Sequence, residues 1–200
     1  MLRRPDDLEN GAAVTSNPPS AGDPAAVIGD ARLESIYRYW RGKCAGRPMP
    51  SRADIDPVEL SAAVWPLTMI LEVVRATGTV RFRYRRVGEV FWRATGREPT
   101  GQFLDESVPD IAGYRQYVVG VYREMVERRQ PLYTQNFFFL NGQREPMQVK
   151  RVSLPLSSDG GATVDMILAG HVFDHESAER DWALSQVNQM KEGDRIFLPV

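Results

Sequence analysis

The stretch from Val80 to Arg85 constrains the fold most, because two classes of side chain alternate along it. Val80, Phe82 and Tyr84 alternate there with Arg81, Arg83 and Arg85. Successive side chains of a strand point to opposite faces, so the pattern predicts a strand with one core face and one cationic face. Gly88 ends this strand, and Phe91 and Trp92 follow in a short helical pattern that Gly96 stops.

The other periodic segments predict a mixed α+β fold. Five segments have strand character: Leu67–Arg75, Val80–Val87, Leu132–Leu140, Met147–Leu156 and Ala162–Phe173. The longest helical pattern runs from Tyr114 to Met125 and ends before Pro131. A hairpin turn is predicted at Asn141-Gly142. The order of elements indicates a five-stranded antiparallel sheet with helices inserted after its second strand.

Both ends of the chain are expected to lie outside this sheet. Residues 1–29, rich in Pro, Gly, Ala and Ser, predict a disordered leader. A helix from Asp30 to Arg41 follows, capped by Asp30 and stopped by Gly42. Residues 175–200 are expected to form a C-terminal helix, over about 177–191, and a tail.

The helix that begins at Asp30 has one apolar face. Its members, spaced three and four residues apart, are Leu33, Ile36, Tyr37 and Trp40. This apolar stripe either covers the open side of the sheet or pairs with the same helix of another subunit. We expect a homodimer with these four residues at its interface.

Composition favours a protein of the reducing cytoplasm. The single cysteine, Cys44, excludes a disulfide within the chain. The N-terminus lacks the apolar core of a secretory signal, and no run approaches the roughly 18 apolar residues that a spanning helix needs. We therefore expect a cytoplasmic location and no membrane contact. The net charge of −1 excludes binding of polyanions through bulk charge.

Two blocks of sequence carry a more specific pattern. The first is Pro48, Pro50, Ser51, Arg52, Ala53, Asp54, Ile55, Asp56 and Pro57; the second is Phe82, Arg83, Tyr84, Arg85, Val87 and Gly88, followed by Thr95, Gly96, Arg97, Thr100 and Gly101. These blocks resemble a bacterial PAS-like family once labelled as being of unknown function. The resemblance covers Leu33–Asp174 and implies a PAS-like domain over residues 30–174, with helices on one face of its sheet. It also implies a sensory or protein-interaction module without assigned catalysis.

Aromatic residues are concentrated in the elements that would enclose the space between sheet and helices. The ligand-pocket candidates are Tyr84, Phe91, Trp92, Tyr114, Tyr117, Phe137, Phe139 and, in the last strand, His171. The resemblance implies that small ligands or cofactors bind in this space. Large aromatic rings can instead fill it as an ordinary core, and the sequence leaves both possibilities open.

Residue types that are missing from two segments limit which cofactors are expected. The resemblance implies that a haem-binding member has a histidine on its long helix, and that a flavin-photoadduct member has a cysteine just before that helix. Residues 114–129 contain no histidine and residues 102–113 contain no cysteine. A small organic ligand, or none, remains. His171 and His175 are poorly spaced for a metal site, so no metal is predicted.

We expect a stand-alone regulatory domain that acts through self-association or an unidentified protein partner, and not an enzyme. No nucleophile-elbow motif or phosphate loop occurs in the sequence. A small α+β enzyme or lyase is the alternative, and it would need Tyr84, Tyr117 and His171 to converge in a pocket.

A third hypothesis is a nucleic-acid binder that uses the arginine ridge, defined as Arg81, Arg83 and Arg85. Arginine suits phosphate recognition. Phe82 and Tyr84 lie on the opposite face of the same strand, however, where they form no stacking platform beside the charges. Nucleic acid is therefore not the expected partner.

Overall fold

The computed structural model of the protein describes residues 23–76, 78–140, 147–173, 187–191 and 193–200. The helices are α1 (Ala31–Cys44), α2 (Glu89–Thr95), α3 (Leu104–Ser107) and α4 (Tyr114–Arg128). The strands are β1 (Thr68–Ala76), β2 (Thr79–Val87), β3 (Leu132–Leu140), β4 (Met147–Leu156), β5 (Met166–Phe173), β6 (Val187–Lys191) and β7 (Arg195–Phe197). Strands β3 and β4 have the predicted bounds, whereas β5 begins four residues later than predicted, at Met166 instead of Ala162.

The described strands form one antiparallel sheet. Its order is β2-β1-β5-β4-β3, and β6 and β7 both pair with the outer edge of β3. These two short strands share one sixth position, since β7 lies beside residues 132–134 and β6 beside residues 137–140. The α+β class is confirmed. The sheet differs from the predicted five strands by this additional edge position.

The C-terminal end departs furthest from the sequence prediction. A helix is predicted over about 177–191, but residues 187–191 form β6, and β7 follows it. Residues 174–186 lie outside the described part. The open edge of β3 offers unpaired backbone groups, and pairing with them outweighs the local helical pattern. Gly193 permits the close approach, because a Cβ atom there would lie 1.8 Å from the carbonyl oxygen of Gln135.

The N-terminal region also differs from its predicted boundaries. The disordered leader is predicted to reach residue 29, but Pro24–Val27 form a 3₁₀ turn and Ile28 is buried; residues 1–22 lie outside the described part. Helix α1 continues past Gly42, the predicted stop, to Cys44, where Ala45 has a left-handed conformation. One glycine inside a helix costs only about 1 kcal/mol, which packing against the sheet outweighs.

Helix α1 covers one face of the sheet, at β4 and β5. Asp30 caps the helix through its side chain, as predicted. Trp40 donates its indole N–H to the carbonyl oxygen of Pro155 at 2.8 Å. Gly170 allows the helix to approach β5, because a Cβ atom there would lie 2.5 Å from the terminal methyl group of Ile36.

The apolar stripe of α1 is buried within its own chain. Its members Leu33, Ile36, Tyr37 and Trp40 are each at most 1% exposed. The alternative that this helix covers the sheet is confirmed. The prediction that these side chains form a dimer interface is wrong, because none of their surface remains for a second subunit. Helices therefore lie on both faces of the sheet, as expected if this N-terminal helix covers the side that the inserted helices leave open.

Helices α2 and α4 cover the opposite face. Tyr122 on α4 packs against Phe82, with 5.6 Å between the ring centroids. Phe91 on α2 packs against Tyr84, with 6.3 Å between centroids. The alternation along β2 thus turns Phe82 and Tyr84 into the core, as predicted.

Candidate functional site

Polar side chains occupy the centre of the sheet face that α4 covers. Thr134, Arg151 and His171 lie side by side on β3, β4 and β5, because Arg151 is paired with Thr134 on one side and with His171 on the other. Asn136 and Ser153 lie two residues along their strands and share this face. We call these five residues the polar cluster. Each is at most 2% exposed, so the cluster is closed off from bulk solvent.

Arg151 and His171 form the hydrogen bond at the centre of the cluster. The Nε–H of Arg151 donates to Nε2 of His171 at 2.8 Å. Burial, and then the nearby Arg151 charge, hold the pKa of His171 well below its usual range. The imidazole is therefore neutral, and because Nε2 accepts a hydrogen bond, its proton is on Nδ1.

Arg151 keeps its positive charge although it is buried. Burial lowers its pKa, but electrostatic interaction with Tyr122, Tyr114, Tyr117 and Tyr84 raises it by more. The guanidinium carbon lies 5.7 Å from the centre of the Tyr122 ring. Among the described residues, no aspartate or glutamate pairs with this guanidinium. The described part of the chain thus supplies one cation at the site and no counter-charge for it.

The cluster and its neighbour Tyr117 have polar atoms without a partner. Within the described part of the chain these seven buried atoms are Tyr117 Oη, Thr134 Oγ1, Asn136 Nδ2 and Oδ1, Arg151 Nη1, Ser153 Oγ and His171 Nδ1. Six of the seven can donate a hydrogen bond, and only the amide oxygen of Asn136 is restricted to accepting. The interior is therefore rich in unused donors, which suits a ligand that is rich in acceptors.

Aromatic rings line the site on its other sides. Phe91 lies edge-on to His171, with 5.5 Å between centroids, and 6.3 Å from Phe173. Burial raises the pKa of Tyr114 to about 12 and also raises the pKa of Tyr84. These phenols therefore stay protonated at neutral pH, and the lining is aromatic and uncharged.

The structure brings together five of the eight predicted pocket residues. Tyr84, Tyr114 and Tyr117 interact electrostatically with Arg151, while Phe91 packs on His171. His171 is also a hydrogen-bonded sheet residue, as predicted for its strand position.

The other three predicted pocket residues lie elsewhere. Trp92 is 40% exposed on the outside of α2, since a short helix can turn only one of two consecutive residues toward the sheet. Phe137 and Phe139 alternate with Asn136 along β3 and so belong to the opposite face. The prediction of these two residues as pocket residues follows from their aromatic character. The face that they occupy is decided by the alternation of side chains along β3.

Sequence reasoning missed Thr134, Asn136, Arg151 and Ser153. No clean alternation marks them, because Gln135 on β3 and Lys150 on β4 are polar residues of the opposite face. Only the docking of α4 shows that this face is buried.

The arginine ridge is neutralised within the chain. Arg81 forms ion pairs with Asp105 and Glu106. Arg83 and Arg85 both pair with Glu72, at 2.7 and 3.0 Å. These contacts remove the uncompensated charge on which the nucleic-acid hypothesis depends.

Comparison of the chain with protein-family models, with curated proteins and with solved structures finds no match. The described residues contain no group of three or more histidine, cysteine, aspartate or glutamate side chains that could hold a metal ion. No helix in the described ranges is long and apolar enough to cross a membrane. Among the described residues, the polar cluster is the feature that bears on function.

Proposed function

We propose that this protein is a PAS-like sensory or regulatory domain that binds a small organic ligand between α4 and strands β3 to β5. The unpartnered donors of the polar cluster carry this proposal. Leaving one buried polar group without a partner costs about 1–3 kcal/mol. Seven such atoms would cost on the order of 10 kcal/mol, which is comparable to the whole stability of a typical domain. A bound ligand that satisfies them offsets this cost.

The order of elements supports the PAS-like part of the proposal. The described sheet is antiparallel, and helices α2 to α4 are inserted between its second and third strands. This is the arrangement that the resemblance implies. The ligand lies, in this proposal, between α4 and the sheet. Its binding shifts α4 relative to the sheet.

Contacts at the C-terminus supply a route from the site to the surface. Arg195 on β7 forms an ion pair with Glu124 of α4 at 3.3 Å. The Tyr37 hydroxyl on α1 donates to the carbonyl oxygen of Pro199 at 2.7 Å. A shift of α4 is thereby coupled to the last residues of the chain. A cytoplasmic protein partner or a second subunit binds there and responds to the shift. Such a homodimer uses a surface other than the apolar stripe of α1.

Native mass spectrometry of freshly purified protein, with an absorbance spectrum, tests the proposal. We expect a mass above that of the 22.6 kDa chain by one small organic molecule, which denaturation releases. The variant Asn136→Leu, which replaces the amide with an apolar group of similar size, should lose the added mass. Ser35→Ala on the exposed face of α1 should retain it.

Two outcomes of this measurement count against an interior ligand. One is a bare chain mass in the unmodified protein, with no small molecule recovered on denaturation. The other is an equal added mass in Asn136→Leu and in Ser35→Ala. The same spectra report the number of subunits and so test the homodimer.

A small enzyme is a second candidate, because Tyr84, Tyr117 and His171 do converge around Arg151. Two of these groups are held in forms that argue against acid–base chemistry, because the pKa of His171 is lowered and that of Tyr84 is raised. Neither group changes its charge near neutral pH. Conversion of the co-purified compound into a product by the wild type, and its loss in His171→Ala, would favour the enzyme.

A further inference from the structure

We infer that the ligand of the polar cluster is a monoanionic organic carboxylate whose charged group is held by Arg151. The inference rests on the proposed interior ligand and adds its chemical class. Three observations carry it: the charge of the site, the kind of atoms left unpartnered and the aromatic lining.

The positive charge of the site indicates that the ligand carries one negative charge. Arg151 is 2% exposed and has no carboxylate partner among the described residues. A buried cation is costly unless an opposite charge is close to it. His171 is neutral and adds no second positive charge. Arg195, over the ring of Tyr117, is already paired with Glu124. A single negative charge therefore balances the site, whereas a phosphate dianion would leave one charge in excess.

The unpartnered atoms match the hydrogen-bonding capacity of a carboxylate. An ionised carboxylate accepts hydrogen bonds at about four lone-pair positions and donates none. Arg151 Nη1 provides a charge-assisted donor, since Nε is already used by His171. The uncharged donors of His171 and Thr134 lie beside Arg151 in the same row of this sheet face and can complete the set. Asn136 and Ser153 lie on opposite sides of that row, about 13 Å apart along the strands, so one carboxylate can reach only one of them. A neutral ligand would leave the guanidinium charge uncompensated.

The lining indicates an aromatic or compact apolar body for the rest of the ligand. Phe91, Tyr84 and Tyr122 present rings around Arg151 and His171. Aromatic rings favour offset or edge-on contacts with a further ring. Benzoate combines a carboxylate with such a ring and serves as the probe. Benzamide has nearly the same shape without the charge and serves as its matched control.

Calorimetric titration and thermal unfolding of the dialysed full chain test the inference. We expect benzoate to bind and to raise the melting temperature in a concentration-dependent way. Benzamide should bind at least tenfold more weakly, and inorganic phosphate should have no effect at the same concentration. This comparison uses the unmodified protein, so it does not depend on whether any variant folds.

Two variants locate the carboxylate. Arg151→Gln should weaken benzoate binding at least tenfold. The affinity of this variant for benzamide should differ little from that of the wild type. Arg93→Gln, on the exposed side of α2, is the control and should bind benzoate like the wild type. Unchanged benzoate affinity in a folded Arg151→Gln variant would overturn the inference.

The outcomes separate this inference from the proposed function. Equal affinity for benzoate and benzamide overturns the carboxylate assignment but leaves an interior ligand in place. Binding of neither compound also overturns the carboxylate assignment. A bare native mass of the freshly purified protein, or an equal added mass in Asn136→Leu and Ser35→Ala, counts instead against the interior ligand itself.

Discussion

The side chains of Arg151 and His171 depend on each other. The histidine accepts the Nε–H of the arginine and must stay unprotonated at Nε2 to do so. The arginine charge in turn opposes any charge on the imidazole. Burial raises the pKa values of Tyr84, Tyr114 and Tyr122 near the pair, so these tyrosines, like Phe91, carry no charge at neutral pH. The pair therefore has a fixed polarity, with a cation on one side and an Nδ1–H donor on the other.

This pairing predicts a loss of stability at mildly acidic pH. The folded-state pKa of His171 lies below its unfolded value of about 6.5, so the stabilisation is complete above that value and is lost as the pH falls. One histidine that protonates mainly when unfolded lowers the free energy of unfolding by on the order of 1 kcal/mol between pH 7.5 and pH 5.5. Urea unfolding of the wild type at the two pH values measures the change.

His171→Gln is the matched control for this titration. Its side-chain oxygen can still accept from the Nε–H of Arg151 but does not titrate. The variant should lose on the order of 1 kcal/mol less stability than the wild type over the same pH range. Identical pH dependence in the two proteins would show that His171 is not buried in its neutral form.

At the scale of elements, the sixth strand position depends on one close backbone contact. The amide of Gln135 donates to the carbonyl oxygen of Asp194 at 3.0 Å, between the stretches where β6 and β7 pair with β3. Gly193 lies against this point, where no side chain fits. The contact joins the C-terminal end to the strand that carries Thr134 and Asn136.

Gly193→Ala should therefore detach this edge of the sheet. A Cβ atom at 1.8 Å from a backbone oxygen cannot be relieved by a side-chain rotation, and overpacking of this kind costs about 1–3 kcal/mol. We expect lower stability in urea and faster hydrogen exchange at the Gln135 amide. Gly120→Ala on α4, where nothing lies within 4 Å of the new Cβ, should instead stabilise by about 0.5–1 kcal/mol. Similar effects of the two substitutions would contradict the close contact.

Elements with strong local patterns were predictable, and those formed by distant pairing were not. Alternation and the Tyr114–Met125 period indicate the first five strands and α4, because those patterns reflect each element's own buried face. The strand character of 187–191 depends on the open edge of β3, which is distant in sequence. The burial of the apolar stripe of α1 likewise depends on a sheet whose strands follow α1 in the sequence.

At the scale of the whole molecule, the site exists because α4 covers the face of the sheet that carries Arg151. Polar and apolar residues occur on both faces of β4, so its sequence pattern does not mark this face, and the docking of α4 makes it interior. Residue types indicated aromatic candidates such as Tyr84 and Phe91, which do lie at the site. The polar cluster depends on the docking of α4 on the sheet, and no local pattern encodes that docking.

The central claim is that the polar cluster surrounds a bound ligand, and a high-resolution crystal structure of the freshly purified protein tests it most directly. We predict continuous electron density, larger than water and belonging to no residue of the chain, within about 3 Å of Arg151 Nη1 and the Asn136 amide. Separate ordered water molecules on each unpartnered atom, or a carboxylate of the chain itself paired with Arg151, would contradict the account.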